Sequence, residues 1–139
     1  MRVSRLVPFL GLAWACGPTT YPVTLTASPA AGPADAIACS RTKLTALGYR
    51  QVAYDETGFR VLARKQDTEA HRANTQFRYN IDQLEVTAAP EADGKTSLKV
   101  EGRTYAALQT HRGPTEEEEP ASTGVKESGQ AIVDTCGRS

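Results

Sequence analysis

After Gly48 the apolar residues of this 139-residue chain change period, and that change narrows the architectures open to it. Upstream, Ile37, Leu44 and Leu47 recur at helical spacing, with Asp35 placed to cap the helix and Gly48 to stop it. Downstream the pattern is that of strands. Tyr49 to Tyr54 is the first run, and Asp55-Glu56-Thr57-Gly58 supplies turn chemistry. Phe59, Val61 and Ala63 then alternate with Arg60, Leu62 and Arg64. Gln66 to Thr75 is polar and predicts a loop. Phe77, Tyr79 and Ile81 open a third run. Leu84 and Val86 continue it on the opposite parity, which predicts a bulge near Asp82 or Gln83 that returns them to the core face. Asp93-Gly94, within Pro90 to Lys95, signals a hairpin. Leu98 and Val100 mark a fourth run reaching as far as Tyr105. Gln109 to Pro120, with its Glu116 to Glu119 run, predicts a mobile loop. Ser122 or Thr123 then caps a last helix, whose apolar stripe is Val125, Gly129, Ile132, Val133 and Cys136. The order α-β-β-β-β-α predicts an α+β fold: a two-layer sandwich of a four-stranded antiparallel sheet with two helices on one face.

Residues 1 to 15 form a separate unit. Arg2 and Arg5 precede the uncharged run Leu6 to Ala15. That run is far shorter than the roughly 20 residues needed to cross a bilayer, so it predicts a signal peptide. Ala13-Trp14-Ala15 is a small-x-small site for cleavage before Cys16. Leu12-Ala13-Trp14-Ala15-Cys16 resembles the lipobox of bacterial lipoproteins. The family usually has Leu where Ala13 stands, and here Leu12 is one position further back. The resemblance implies a diacylglycerol on the Cys16 sulfur and anchoring through several acyl chains. Gly17 stands where these families place Asp for inner-membrane retention, which implies a periplasm-facing outer-membrane lipoprotein. An ordinary secretory signal that leaves a free N-terminal cysteine is the alternative. Residues 16 to 33, rich in Pro and Gly, are expected to be a tether, and residues 34 to 139 a single domain. Tyr21, Val23 and Leu25 alternate with polar residues, leaving a short edge strand as the other reading of that stretch.

If Cys16 is acylated, Cys39 and Cys136 remain, and an even remainder in an exported protein reads as a bridge. The predicted topology agrees. In a four-strand meander the first and last strands run oppositely, so the helices flanking them are antiparallel. Cys39, near the start of the first helix, and Cys136, near the end of the last, then lie at one end of the domain.

The remaining motifs mostly exclude functions. Sixteen basic and sixteen acidic side chains cancel, which argues against nucleic acid as a partner. Ser40-Arg41-Thr42-Lys43 has the S-x-x-K spacing, but no S-D-N or K-T-G element accompanies it. Gly94-Lys95-Thr96 ends like a phosphate loop, yet a strand follows it and Ala89 replaces the first glycine. His71 and His111 sit alone in predicted loops, without the spacing of metal ligands. No catalytic, metal or cofactor site is expected. The far sheet face is expected to carry Arg60, Arg64, Arg78, Lys99 and Arg103, with Glu101 the one clear carboxylate among them. Such a face would suit lipid headgroups, lipopolysaccharide phosphates or an acidic partner.

Ala46-Leu47-Gly48-Tyr49, followed by Gly58-Phe59, resembles small bacterial envelope lipoproteins whose domain opens with a helix ending in Leu-Gly-Tyr. The layout is also similar to the helix-grip domains of a lipoprotein in the outer-membrane barrel assembly machine. Both resemblances imply a fold and little about activity. The expected function is that of a non-enzymatic, membrane-anchored envelope lipoprotein that binds a partner for envelope assembly or upkeep. A small ligand- or anion-binding module using the basic face is the alternative.

Overall fold

The computed structural model describes residues 21–138. The signal-peptide, cleavage and Cys16 assignments therefore lie outside the described residues. The elements are β1 (Val23–Ala27), α1 (Pro33–Ala46), β2 (Arg50–Asp55), β3 (Arg60–Asp67), β4 (Phe77–Pro90), β5 (Thr96–Thr110), β6 (Gly113–Glu119) and α2 (Thr123–Cys136). The class is α+β, with an antiparallel sheet and two helices, as expected; the sheet has six strands where the sequence pattern predicts four. Strands β2 to β5 form the expected meander. The two further strands sit in tandem on the other edge of β5. β1 pairs with Leu98–Gly102, and β6 pairs with Thr104–Thr110.

Each added strand corrects an expectation. The stretch predicted as tether supplies β1, so the folded unit begins ahead of residue 34. Leu25 packs against the core from there, and the Ala121 N–H donates to the Tyr21 carbonyl where the end of β6 meets the approach to β1. The predicted mobile loop is β6. Its hairpin with β5 turns at Gly113, whose φ of 114° suits glycine, and the Thr110 hydroxyl donates to the Gly113 carbonyl. Glutamate is a poor strand former, but strand preference is set largely by neighbours. Here Glu116, Glu118 and Glu119 meet Arg64, Arg103 and Arg72.

Both helices start on local signals. Pro33 occupies the first turn of α1, where its missing N–H costs nothing, and Asp35 places negative charge at the positive end of the helix without capping it. Ser122 caps α2 by accepting from the Val125 N–H at 3.0 Å. Its hydroxyl donates to Asp82 on β4 at 2.7 Å, and Thr104 on β5 donates to the same carboxylate oxygen at 2.8 Å. The start of α2 is thereby fastened to the centre of the sheet.

The core lies between the helices and one sheet face. Ile37 and Leu44 of α1, with Val125 and Ile132 of α2, cover Val61, Leu84, Val86, Leu98 and Val100. Gly102 occupies the crossing of β1, β5 and α2. A Cβ there would stand 2.9 Å from Val23 and 3.1 Å from Val125. Cys39 and Cys136 are joined by a disulfide, with Cα atoms 5.7 Å apart and a sequence separation of 97. It ties the two helices together from opposite ends of the folded chain.

The bulge expected near Asp82 or Gln83 is absent. The β4 registers with β3 and β5 run unbroken from Tyr79 onward, and the one shift lies at Phe77/Tyr79. The parity change in the sequence is therefore real. Leu84 and Val86 face the helices, whereas Tyr79 and Ile81 face the other side.

Candidate functional site on the open sheet face

Because strand side chains alternate, the register assigns the face away from the helices. It carries Arg60, Leu62 and Arg64 on β3; Ile81, Gln83 and Glu85 on β4; Lys99, Glu101, Arg103 and Tyr105 on β5; and Glu116 and Glu118 on β6. The unbroken register sets four of the five expected basic residues on this surface. Arg78, the extra residue at the register shift opening β4, borders the same side with Tyr79, Ala107 and Glu116, its guanidinium donating to the carbonyls of Thr75 and Phe77.

The surface is not a bare basic patch. Arg60 pairs with Glu85 at 2.8 Å. Arg64 reaches across β4 and β5 to hold both oxygens of Glu116, at 3.2 and 2.6 Å. Arg103 donates to Glu101 at 2.8 Å and to Glu118 at 2.7 Å, while Lys99 lies 3.6 Å from Glu101. Four cations meet four carboxylates. The hydrogen bond and charge of Arg60 hold the Glu85 carboxyl below its ordinary range, and Glu101 holds the Arg103 guanidinium above its own. Partly exposed pairs of this kind contribute about 0–1 kcal/mol each, so they order the face more than they stabilise the fold. Glu101 was legible as an opposing charge from strand alternation. Glu116 and Glu118 were hidden because their strand reads as an acidic loop, and their one signal in the sequence was the complementary charge on the preceding strands.

Beside this grid, at the Arg50 end of β2, lies a cleft of about 480 Å³. Val52, Tyr79 and Ile81 are its apolar lining; Arg50, Lys65 and the Arg64–Glu116 pair supply charge. Arg64 also lies over the Tyr105 ring at 5.5 Å, and its Nε is enclosed without a hydrogen-bond partner among the described residues. Arg50 has no carboxylate partner among the described residues, and Lys65 donates to the Leu47 carbonyl. The cleft thus holds three cations against one carboxylate. It opens toward β2, the outermost strand on that side of the sheet. There Val52 and Tyr54 are 47% and 44% exposed. Arg41 stacks over Tyr54 at 4.0 Å and donates to the Gln51 side chain.

The motifs set aside in the sequence have structural roles. Ser40 is fully enclosed and its hydroxyl donates to the Ala36 carbonyl. Gly94 and Lys95 form the β4–β5 hairpin, with the Lys95 N–H donating to Asp93. Thr96 pins the loop before α1 by donating to the Ala31 carbonyl at 2.6 Å. His71 and His111 are exposed in loops. No known family model matches the chain, and no curated protein is detectably similar to it.

Proposed function

We propose that this chain is a non-enzymatic, exported envelope lipoprotein, anchored in the outer membrane through acylated Cys16, that binds a partner protein for envelope assembly or upkeep. The observation that carries this reading is the Cys39–Cys136 bridge. Disulfides persist in oxidising compartments, and the bridge uses two of the three cysteines in the sequence. The third stands directly after a signal-like run, where acylation would take it. The paired surface favours a protein over an anionic surface as partner. Phosphates or lipid headgroups would have to displace Glu85, Glu101, Glu116 and Glu118 from the cations they already hold.

Anchoring at Cys16 would also orient the domain. Tyr21 stands five positions after Cys16, and extended chain covers at most roughly 18 Å over that distance. The β1/β6 edge would then be held near the bilayer, with β2 on the opposite edge of the sheet. Intact-mass spectrometry of protein taken from native membranes, with and without reductant, tests the reading. The expected mass lacks residues 1 to 15, carries acyl chains and gains two thiols only after reduction. A mass without acyl chains, or one retaining residues 1 to 15, overturns it.

A further inference from the structure

The outer strands of the sheet are built differently. Along β6 the outer edge bears Glu116 to Glu119, with Pro114 and Pro120 beside them, while β1, the five-residue strand sharing that side, is uncharged but exposes only the polar Thr24 and Thr26. Charge and proline are the usual means of keeping an edge strand from pairing with another chain. The β2 edge lacks both across Gln51-Val52-Ala53-Tyr54. Among the large apolar residues of the described chain, Val52 and Tyr54 stand out by exposure, with Tyr21, and both lie on this one six-residue strand. A register shift against β3 leaves Val52 unpaired and lining the cleft. Arg50, the first residue of β2, and Lys65 flank the same cleft, and Arg41 lies over the strand from the helix side.

We propose that the β2 edge and its adjoining cleft form a docking site for an extended, acidic segment of a partner protein, added as a further antiparallel strand. This deepens the partner-binding reading and rests on it. Main-chain hydrogen bonds to the free edge give affinity, and side chains on alternate positions give selectivity. A carboxylate opposite Arg50 falls among Arg50, Arg64 and Lys65, where cations outnumber carboxylates. An apolar side chain two residues along covers Val52. A second copy of this chain is a poorer occupant. Six residues of strand extend about 20 Å, and a contact one strand deep over that length falls well below the roughly 1,200 Å² of a stable protein pair.

The probe is an eight-residue capped peptide alternating Val and Thr with one central Glu, titrated into the disulfide-bonded chain and followed by amide exchange. The expected result is slowed exchange at Gln51 to Asp55. A peptide with Lys in place of Glu should bind about fivefold more weakly, the reach of one surface pair. Arg50→Glu, at an exposed position, should reverse that preference while leaving the fold intact. Absence of binding, protection on β1 or β6, or equal affinity for the Glu and Lys peptides overturns the proposal. So does β2 protection that grows with protein concentration without peptide, since that assigns the edge to a second copy. If the peptide fails while the native protein is acylated and captures its partner through another face, the proposed function survives and the β2 assignment falls.

Discussion

Reducing the Cys39–Cys136 bridge should remove as much stability as a severe core truncation. The bridge closes a loop of 97 residues. In the chain-entropy relation the cost spared is 2.1 plus 1.5R ln n cal/mol/K, which for this loop is about 4.7 kcal/mol at 25 °C. That is an upper value, because a compact unfolded chain already restricts the loop. A domain of this size unfolds at roughly 5–15 kcal/mol in total, so the bridge is a large share. With a urea slope of roughly 1.5 kcal/mol/M, the midpoint should fall by about 3 M on reduction. The slope itself should rise, because the reduced unfolded chain expands further. The assay is equilibrium urea unfolding followed by far-ultraviolet circular dichroism, with and without reductant. Cys39→Ala/Cys136→Ala should match the reduced protein, apart from a small packing loss at the buried Cys136. Coincident midpoints, within about 0.5 M, would refute the reasoning: helix packing on the sheet would then hold the termini together without the covalent link.

Gly102→Val should destabilise the domain by about 1–3 kcal/mol, because its side chain would meet Val23, Val125 and Leu84 where β1, α2 and β4 converge; thermal unfolding measures it, and an unchanged midpoint would show that α2 can move away. Tyr49→Phe should be neutral or stabilising by up to about 1 kcal/mol. Burial pushes the Tyr49 hydroxyl pKa up to about 12, and that hydroxyl has no hydrogen-bond partner among the described residues although Ser128 is nearby. A loss above 1 kcal/mol in urea unfolding would show that the hydroxyl is bonded after all. Glu85, held below its ordinary 4.5 chiefly by the Arg60 hydrogen bond, binds protons more readily unfolded than folded. Its contribution is present above pH 4.5 and lost as pH falls through the lower folded value, so Glu85→Gln should reduce the acid loss of thermal stability between pH 5 and 3, in the sense given by linkage. An identical pH profile in the variant would remove Glu85 from the account.

The features readable from sequence were those with local causes. The apolar stripes at Ile37 and Leu44 and at Val125, Gly129 and Ile132, the Ser122 cap and the Asp93-Gly94 turn are set within a few residues, and the structure has them where the pattern places them. The four-strand meander followed from alternation alone. The cysteine pairing was reachable because a meander with flanking helices leaves little choice about which ends meet.

Tertiary structure decided what depends on residues far apart in sequence. Glu116 to Glu119 form a strand because Arg64, Arg72 and Arg103 receive their charge, from positions up to 52 residues away. Val23 to Ala27 is strand because β5 is long enough to offer two partners along one edge. The parity change between Ile81 and Leu84 admits two explanations in sequence, a bulge or a strand apolar on both faces. Only the partners of β4, which keep an unbroken register, choose the second and so create the cleft. A sequence carries side-chain period directly, but it carries strand pairing only through partners that the fold must first bring together.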